Sequence, residues 1–258
     1  MAFKNKFFNK SSENMSEIPD NAIDLMITSP PYNIDISYGN KWEKGKKVSS
    51  KGAKYQDNLP EDEYRILLKN VFAESIRCLK PDGSMFINMK NRYIKDSIIP
   101  PTFLLELVPE MFLKNIIIWN FDWGGSSSKR LSSRYEFFFF FTKDKSHWTF
   151  NLDEISIPSL NYRPDRYKTQ LKNPSDVWTF PIVSGNSPER TNHPAQFPEQ
   201  LINRIVKGFS NPGEIILDPF MGSGTTAVCA KKLNRHFVGY EIYKEYIDIS
   251  KERISREI

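Results

Sequence analysis

The chain has 258 residues, of which 39% are hydrophobic, 14% aromatic and 26% charged, a composition that supports a buried core in one large domain or two small ones. No apolar run approaches the roughly 20 residues that span a bilayer, Met1–Lys10 lacks the apolar stretch of a secretory signal, and Cys78 and Cys229 are too few for a disulfide framework. A membrane protein and a secreted disulfide scaffold are excluded on these grounds, and a reducing cytosol is the expected compartment.

In chain order, the first predicted strand is Ile23–Thr28, a β-branched run that ends in Ser29-Pro30-Pro31-Tyr32-Asn33. Next comes the segment Tyr38–Lys54, where Lys41, Lys44, Lys46, Lys47, Lys51 and Lys54 face a single acid, Glu43, so that it carries the whole net charge of +5. Its glycines and serines cannot bury a core, and residues 38–56 are expected to form a flexible basic loop. Such a loop either only solvates the chain or forms an arm for a polyanion. Glu61–Leu79 has helical periodicity, with Tyr64, Leu68, Val71, Phe72 and Ile76 on one face, and Pro81-Asp82-Gly83 stops it. Strands follow at Ser84–Met89, Asn115–Asn120 and Glu136–Thr142. Residues 143–192 show no sustained period and hold five prolines, so they are expected to be an irregular insertion. A helix is predicted over Phe197–Phe209, a strand over Glu214–Asp218, a helix over Thr225–Leu233, a strand over Phe237–Glu241 and a helix over Tyr243–Arg256. Strands alternating with helices predict an α/β fold: a doubly wound, mostly parallel sheet in a single domain, residues 1–258, with one small irregular insertion.

Two turns carry chemistry. After the strand ending at Asp218 comes Pro219-Phe220-Met221-Gly222-Ser223-Gly224-Thr225-Thr226, a glycine turn that bares backbone amides at a helix N-terminus. It lacks the third glycine of a dinucleotide fingerprint and the GK[ST] of a P-loop. Glu241 ends the following strand, where a carboxylate can accept both hydroxyls of a ribose. After the first strand, Ser29-Pro30-Pro31-Tyr32 sets a hydroxyl, a carbonyl that no proline N–H competes for, and an aromatic ring side by side. Two acceptors and a ring suit a planar heterocycle bearing an exocyclic NH₂. As isolated patterns both turns are also compatible with a purely structural role.

Taken together, Thr28–Asn33 and Asp218–Thr226 resemble the amino-methylating DNA methyltransferases, with their [DNS]PP[YF] catalytic motif and FxGxG cofactor motif, in the β-class order with the catalytic motif first. Leu79-Lys-Pro-Asp-Gly83, His193-Pro194 through Pro198, and Glu241-Ile242 fit the same pattern, so the likeness covers nearly the whole chain. The resemblance implies a Rossmann-like methyltransferase fold and S-adenosyl-L-methionine as cofactor. It implies catalysis by Ser29, Pro30, Pro31 and Tyr32, with Ser29 and the Pro30 carbonyl accepting the amino hydrogens of a flipped base and Tyr32 stacking on it. Asp218 and the turn of Gly222, Ser223, Gly224, Thr225 and Thr226 would hold the methionyl part, Glu241 the ribose, and Phe220 and Ile242 the adenine, with His193 near that pocket. No metal is implied. Family members carry Gly-Asp where this chain reads Asn9-Lys10, so either Ser11, Ser12 or a backbone group replaces that Asp, or the adenine is held mainly by packing on Phe220 and Ile242.

The resemblance also implies partners: double-stranded DNA, a second copy of the chain, and a cognate restriction endonuclease in a bacterial or archaeal cytosol. Residues 143–192 become the expected target-recognition insertion; Arg163 and Arg166 in it, with Arg130 and Arg134, are candidate base readers, and Lys129, Lys41, Lys44, Lys46 and Lys47 are expected mostly on phosphates. Carbon-5 methylation needs a Pro-Cys nucleophile that this chain lacks. Serine at position 29 is typical of the N4-cytosine members and favours that base over N6-adenine. A non-catalytic nucleic-acid-binding module and an RNA or protein amide methyltransferase are the more distant alternatives.

Overall fold

The computed structural model describes residues 1–36, 41–43, 46–48, 57–94, 97–124, 128–159, 163–166 and 169–257. Among these, eight strands build one sheet: β1 (Lys6–Phe8), β2 (Ile23–Thr28), β3 (Leu79–Met89), β4 (Phe112–Asn120), β5 (Tyr135–Thr142), β6 (Val177–Thr179), β7 (Ile215–Asp218) and β8 (His236–Tyr240). Their spatial order is β1-β8-β7-β2-β3-β5-β4-β6. Only β5 runs against the rest, pairing antiparallel with both β3 and β4. Every other neighbouring pair is parallel.

The central strands are mostly apolar because both faces are covered. Met26, Ile87, Phe139, Leu217 and Val238 point to one face, where α1 (Glu61–Cys78) lays down Tyr64, Leu68, Val71 and Phe72. Leu25, Ile27, Phe86, Phe138, Phe140 and Ile216 point to the other. That side is covered by α2 (Glu199–Phe209) and α3 (Thr225–Lys232), and Phe86 stacks on Phe140 at 4.5 Å while both meet the edge of Phe209. The C-terminal helix α4 (Lys244–Glu257) packs beside α3.

The chain leaves β2 through α1 to reach β3 on one side, and leaves β7 through α3 to reach β8 on the other. The order therefore reverses between β2 and β7, and such a switch point opens a crevice at the carboxyl ends of its two strands. Ser29 follows one of those ends and Pro219 the other. The fold alone brings the two sequence motifs together.

The predicted elements differ from the structure mostly at their ends. β3 begins at Leu79 because residues 80–83 loop out between the pairs Ile23–Leu79 and Leu25–Ser84, so Pro81-Asp82-Gly83 is a bulge inside a strand and not a break before one. Residues 143–192 are not wholly an insertion: Val177–Thr179 extends the central sheet, parallel to β4, and Leu152–Ile155 forms a short helix. Within the lysine-rich segment the backbone of Lys41–Glu43 pairs antiparallel with that of Lys46–Val48.

Candidate active site

The two motifs are tied by one carboxylate. Asp218 Oδ1 accepts from Thr28 Oγ1 at 2.8 Å and from the Phe220 N–H at 3.0 Å, and Oδ2 accepts from Thr226 Oγ1 at 2.7 Å. Asp218 is 3% exposed, and burial pushes its carboxyl up to about 6 despite those donors. Its oxygens are occupied by the protein, so Asp218 braces the turn from behind and does not present itself to a methionyl group as expected. Ser223, Gly224, Thr225 and Thr226 are also turned inward. Arg253 donates to the Ser223 carbonyl at 3.1 Å and to Thr225 Oγ1 at 3.0 Å. Gly224 has a φ of +80° and abuts Ser250 of α4 so closely that an added Cβ would lie 2.5 Å from Ser250 Oγ. Among residues 222–226, Gly222 lines the crevice, beside Pro219 and Phe220.

The crevice is partly open to solvent, with Ser29–Tyr32, His193, Phe220, Gly222 and Glu241 among its lining residues. Glu241 lies at its back. The Gly222 N–H donates to Glu241 Oε2 at 2.9 Å and the Tyr243 N–H to Oε1 at 2.8 Å. The Ile242 N–H also donates to this carboxylate, which still lines the crevice and can accept from a ribose hydroxyl there. Burial, with the nearby Asp218 charge adding to it, pushes the Glu241 carboxyl up to about 7. Phe220, Ile242, Tyr243 and Tyr246 supply apolar walls.

His193 packs edge-on against Tyr246 with centroids 4.5 Å apart, and burial depresses it to about 4, so it is neutral near pH 7. Its Nδ1 accepts the Ala195 N–H at 3.3 Å, which puts the proton on Nε2. That nitrogen would lie 2.7 Å from a Cβ at residue 222, whose φ is +52°, so only glycine fits there. Asn9 Nδ2 donates to the carbonyls of Glu241 and Ile242 at 2.9 and 3.0 Å, and Lys10 is paired with Glu17 at 2.7 Å. Ser11 and Ser12 line the crevice beside Lys10, where an acidic residue was missing from the sequence pattern. A carboxylate at the back of the crevice, an aromatic slot and a glycine facing the cavity fit an adenosine-bearing cofactor.

At the open side stands Ser29-Pro30-Pro31-Tyr32. The Pro31 carbonyl accepts from Tyr64 Oη at 2.8 Å, while the Pro30 carbonyl accepts from none of the described residues. Asp57 takes the N–H groups of Asn33, Ile34 and Ile36, fixing the chain just beyond the motif. Tyr32 lines the crevice but is only 5% exposed, and the Lys90 ammonium sits 5.1 Å from its ring centroid. Its hydroxyl receives a hydrogen bond from Ser29 Oγ at 2.8 Å, lies against Asn88 Oδ1, and is 3.0 Å from Glu136 Oε2. Tyr32 is thus pinned by its hydroxyl, a narrower setting than the stacking platform expected. Asn88, Lys90 and Glu136 were not anticipated, although Asn88 and Glu136 are polar residues set inside otherwise apolar strand runs.

Among the basic residues expected to meet DNA, Lys129 and Arg130 are exposed on the loop joining β4 to β5, which leaves the sheet at the same edge as Ser29. The Arg130 guanidinium stacks 3.7 Å from the Tyr93 centroid. Arg134 is partly buried, with Nη1 against Gly124 and no acceptor among the described residues, so it does not reach outward. Arg163 and Arg166 are exposed but lie in the stretch that leaves the opposite edge after Thr142; residues after Thr179 are the part of 143–192 that returns to the edge bearing Ser29. Lys44 lies outside the described residues, as do the side chains of Lys41, Lys46 and Lys47. Both cysteines are buried, and burial raises Cys78 to about 11 and Cys229 well above the usual thiol range, so neither is a thiolate nucleophile.

A mostly parallel sheet with a cofactor crevice at its switch point and a hydroxyl–carbonyl pair at the mouth defines the methyltransferase class. The family profile described as DNA methylase, N6_N4_Mtase, matches residues 23–252. The chain is 38% identical over 269 residues to type II methyltransferase M.BglII of Bacillus subtilis, across 98% of this chain and 69% of that one. It is 34% identical over 252 residues to DNA adenine methyltransferase YhdJ of Escherichia coli strain K12, across 93% and 79%. Its fold matches that of PvuII DNA methyltransferase (cytosine-N4-specific) with a TM-score of 0.72 at 20% identity, over 96% of this chain and 85% of that one. The M1.HpyAVI–SAM complex matches at 0.63 and 22%, over 96% and 98%. The chain belongs to the N6/N4 DNA methylase family and is an S-adenosylmethionine-dependent DNA methyltransferase. No helix among the described residues is long and apolar enough to cross a membrane.

Proposed function

We propose that the enzyme methylates the exocyclic N4 of a cytosine flipped out of double-stranded DNA. The observation that carries this reading is the pair of acceptors at the crevice mouth, Ser29 Oγ and the Pro30 carbonyl. An aromatic amino nitrogen is a weak nucleophile because its lone pair is delocalised into the ring. Ser29 Oγ and the Pro30 carbonyl each take one amino hydrogen, which favours a pyramidal nitrogen whose lone pair points into the crevice. S-adenosylmethionine, held against Glu241, Gly222, Phe220 and Ile242, supplies an electrophilic methyl group there. The rest of catalysis is positioning, and Asp218, Asp57 and Tyr64 keep the two motifs in register.

Ser29, neutral where an adenine enzyme typically has Asp, favours cytosine. The second reading is N6-adenine methylation, favoured by the 34% identity to an enzyme named a DNA adenine methyltransferase. Both bases present an NH₂ to the same acceptors. The loop of Lys129 and Arg130, residues 180–192 and the lysine-rich segment 38–56 are the parts we assign to DNA. Arg163 and Arg166, as base readers, require the recognition segment to fold around the sheet's side. A second copy of the chain and a cognate endonuclease complete the proposed setting, in a bacterial or archaeal cytosol. Expression in a host free of DNA methyltransferases, then nucleoside digestion and mass spectrometry of its DNA, tests the reading. N4-methyldeoxycytidine is expected, and N6-methyldeoxyadenosine in its place transfers the assignment to adenine.

A further inference from the structure

Glu136 is an acid set beside a catalytic motif that needs only neutral acceptors. It stands at the start of β5, where the antiparallel pairing of Asn88 with Phe138 brings it to the same edge as Ser29. Around the Tyr32 hydroxyl lie Ser29 Oγ at 2.8 Å, Asn88 Oδ1 in close contact and Glu136 Oε2 at 3.0 Å. Asn88 is itself fixed, since its Nδ2 donates to the Phe137 carbonyl at 3.0 Å.

A phenol has one proton to give and two lone pairs to accept with. With Glu136 ionised, Tyr32 donates to Glu136 Oε2 and Ser29 donates to Tyr32 Oη. With Glu136 protonated, Glu136 donates to Tyr32 Oη, Tyr32 donates to Asn88 Oδ1, and Ser29 donates to Tyr32 Oη. In both arrangements every proton of the cluster has an acceptor, so a proton can pass from Ser29 through Tyr32 to Glu136 along contacts already present. The groups facing Glu136 are the Lys90 ammonium, the Tyr32 hydroxyl and the Asn88 amide. Burial pushes its carboxyl above the ordinary range while these three pull it back. Lys90 also faces Asp57, which shares its charge.

We propose that Glu136 is the terminal proton acceptor of the methylation reaction, reached through Tyr32 and Ser29. The inference rests on the reading of the site as an amino-methylating one. An amino nitrogen that has gained a methyl group carries one proton too many. Its N–H bond breaks toward Ser29 Oγ as the Ser29 proton passes to Tyr32 Oη and the Tyr32 proton to Glu136 Oε2. The N–H electron pair stays on nitrogen and rejoins the ring, and Glu136 ends neutral. Its proton then leaves to solvent between turnovers.

Glu136→Gln tests this because the amide keeps the shape and a hydrogen bond to Tyr32 but cannot take the proton. Single-turnover methylation of bound DNA, followed from pH 5.5 to 9, is expected to slow about a hundredfold. The fall of the wild-type rate toward acid pH is expected to vanish in the variant, with DNA and cofactor affinities unchanged. A variant within threefold of wild type that keeps the acid limb overturns the proposal. A second readout needs no turnover: with ¹³C-carboxyl glutamate in the free enzyme, the signal absent from Glu136→Gln should titrate above the ordinary carboxylate range and shift in Tyr32→Phe. A signal titrating near the ordinary value of about 4.3 overturns it as well. Wild-type enzyme that leaves DNA unmethylated removes the reading of the site and this proposal together, whereas an active wild type with an unaffected Glu136→Gln removes only the latter.

Discussion

Glu241 makes cofactor binding depend on pH in a way the structure quantifies. Burial holds its carboxyl at about 7 in the free protein, and it lines the crevice. As the proposed ribose acceptor, the ionised form keeps its acceptor capacity for a ribose hydroxyl, whereas the protonated form gives up one acceptor to carry its own hydrogen. Because the pKa is raised, the ionised fraction falls as pH drops through 7, and affinity falls with it. If only the ionised form binds well, the apparent Kd scales as the inverse of that fraction. It is then about tenfold weaker at pH 6 than at pH 8. His193, depressed to about 4, stays neutral across this window, and Asp218, raised to about 6, overlaps only at its acid end. Glu241→Gln removes the titration and should bind S-adenosylmethionine about 10- to 100-fold more weakly than wild type at pH 8, the scale of hydrogen bonds to a charged group. Titration calorimetry between pH 6 and 8.5 reads both effects. A wild-type Kd constant within twofold over that range, or the same slope in Glu241→Gln, refutes the reasoning.

Gly224→Ala forces a side chain into a left-handed backbone and against Ser250, so a loss of about 2–4 kcal/mol is expected; a melting temperature equal to wild type contradicts the packing. Ser29→Ala removes one of the two amino-hydrogen acceptors and should slow methylation about a hundredfold while cofactor affinity, measured by calorimetry, stays at the wild-type value. Replacing Lys41, Lys44, Lys46 and Lys47 together with alanine should weaken DNA binding at any sequence. The slope of log K against log salt should then flatten by about 3–4, near 0.9 for each phosphate no longer neutralised. An unchanged slope means the segment leaves DNA alone.

The central sheet was legible because strands buried on both faces are apolar along most of their length, as Ile23–Thr28 and Phe137–Phe141 are. β1 and β6 were not, since three residues such as Lys6–Phe8 or Val177–Thr179 are too short to show a period and join the sheet only as edges of longer strands. Both site motifs were visible as turns after strands, and the switch point explains why they meet. The division of labour inside the glycine turn was hidden. Whether Asp218 or Gly224 faces the ligand or the protein depends on Thr28 and Ser250, 190 and 26 positions away in the chain. The cluster around Tyr32 was hidden for the same reason. Asn88 and Glu136 reach it through strand pairing, and their one local trace is a polar residue inside Met85–Met89 and Tyr135–Thr142.

The most direct measurement follows the methyl group itself: incubation of the enzyme with methyl-labelled S-adenosylmethionine and plasmid DNA, then chromatography of the digested nucleosides. Label on an exocyclic amino nitrogen, running as N4-methyldeoxycytidine and accumulating about a hundredfold more slowly with Ser29→Ala, is the result this account predicts. Label at carbon 5 of cytosine, or undiminished transfer by Ser29→Ala, contradicts it.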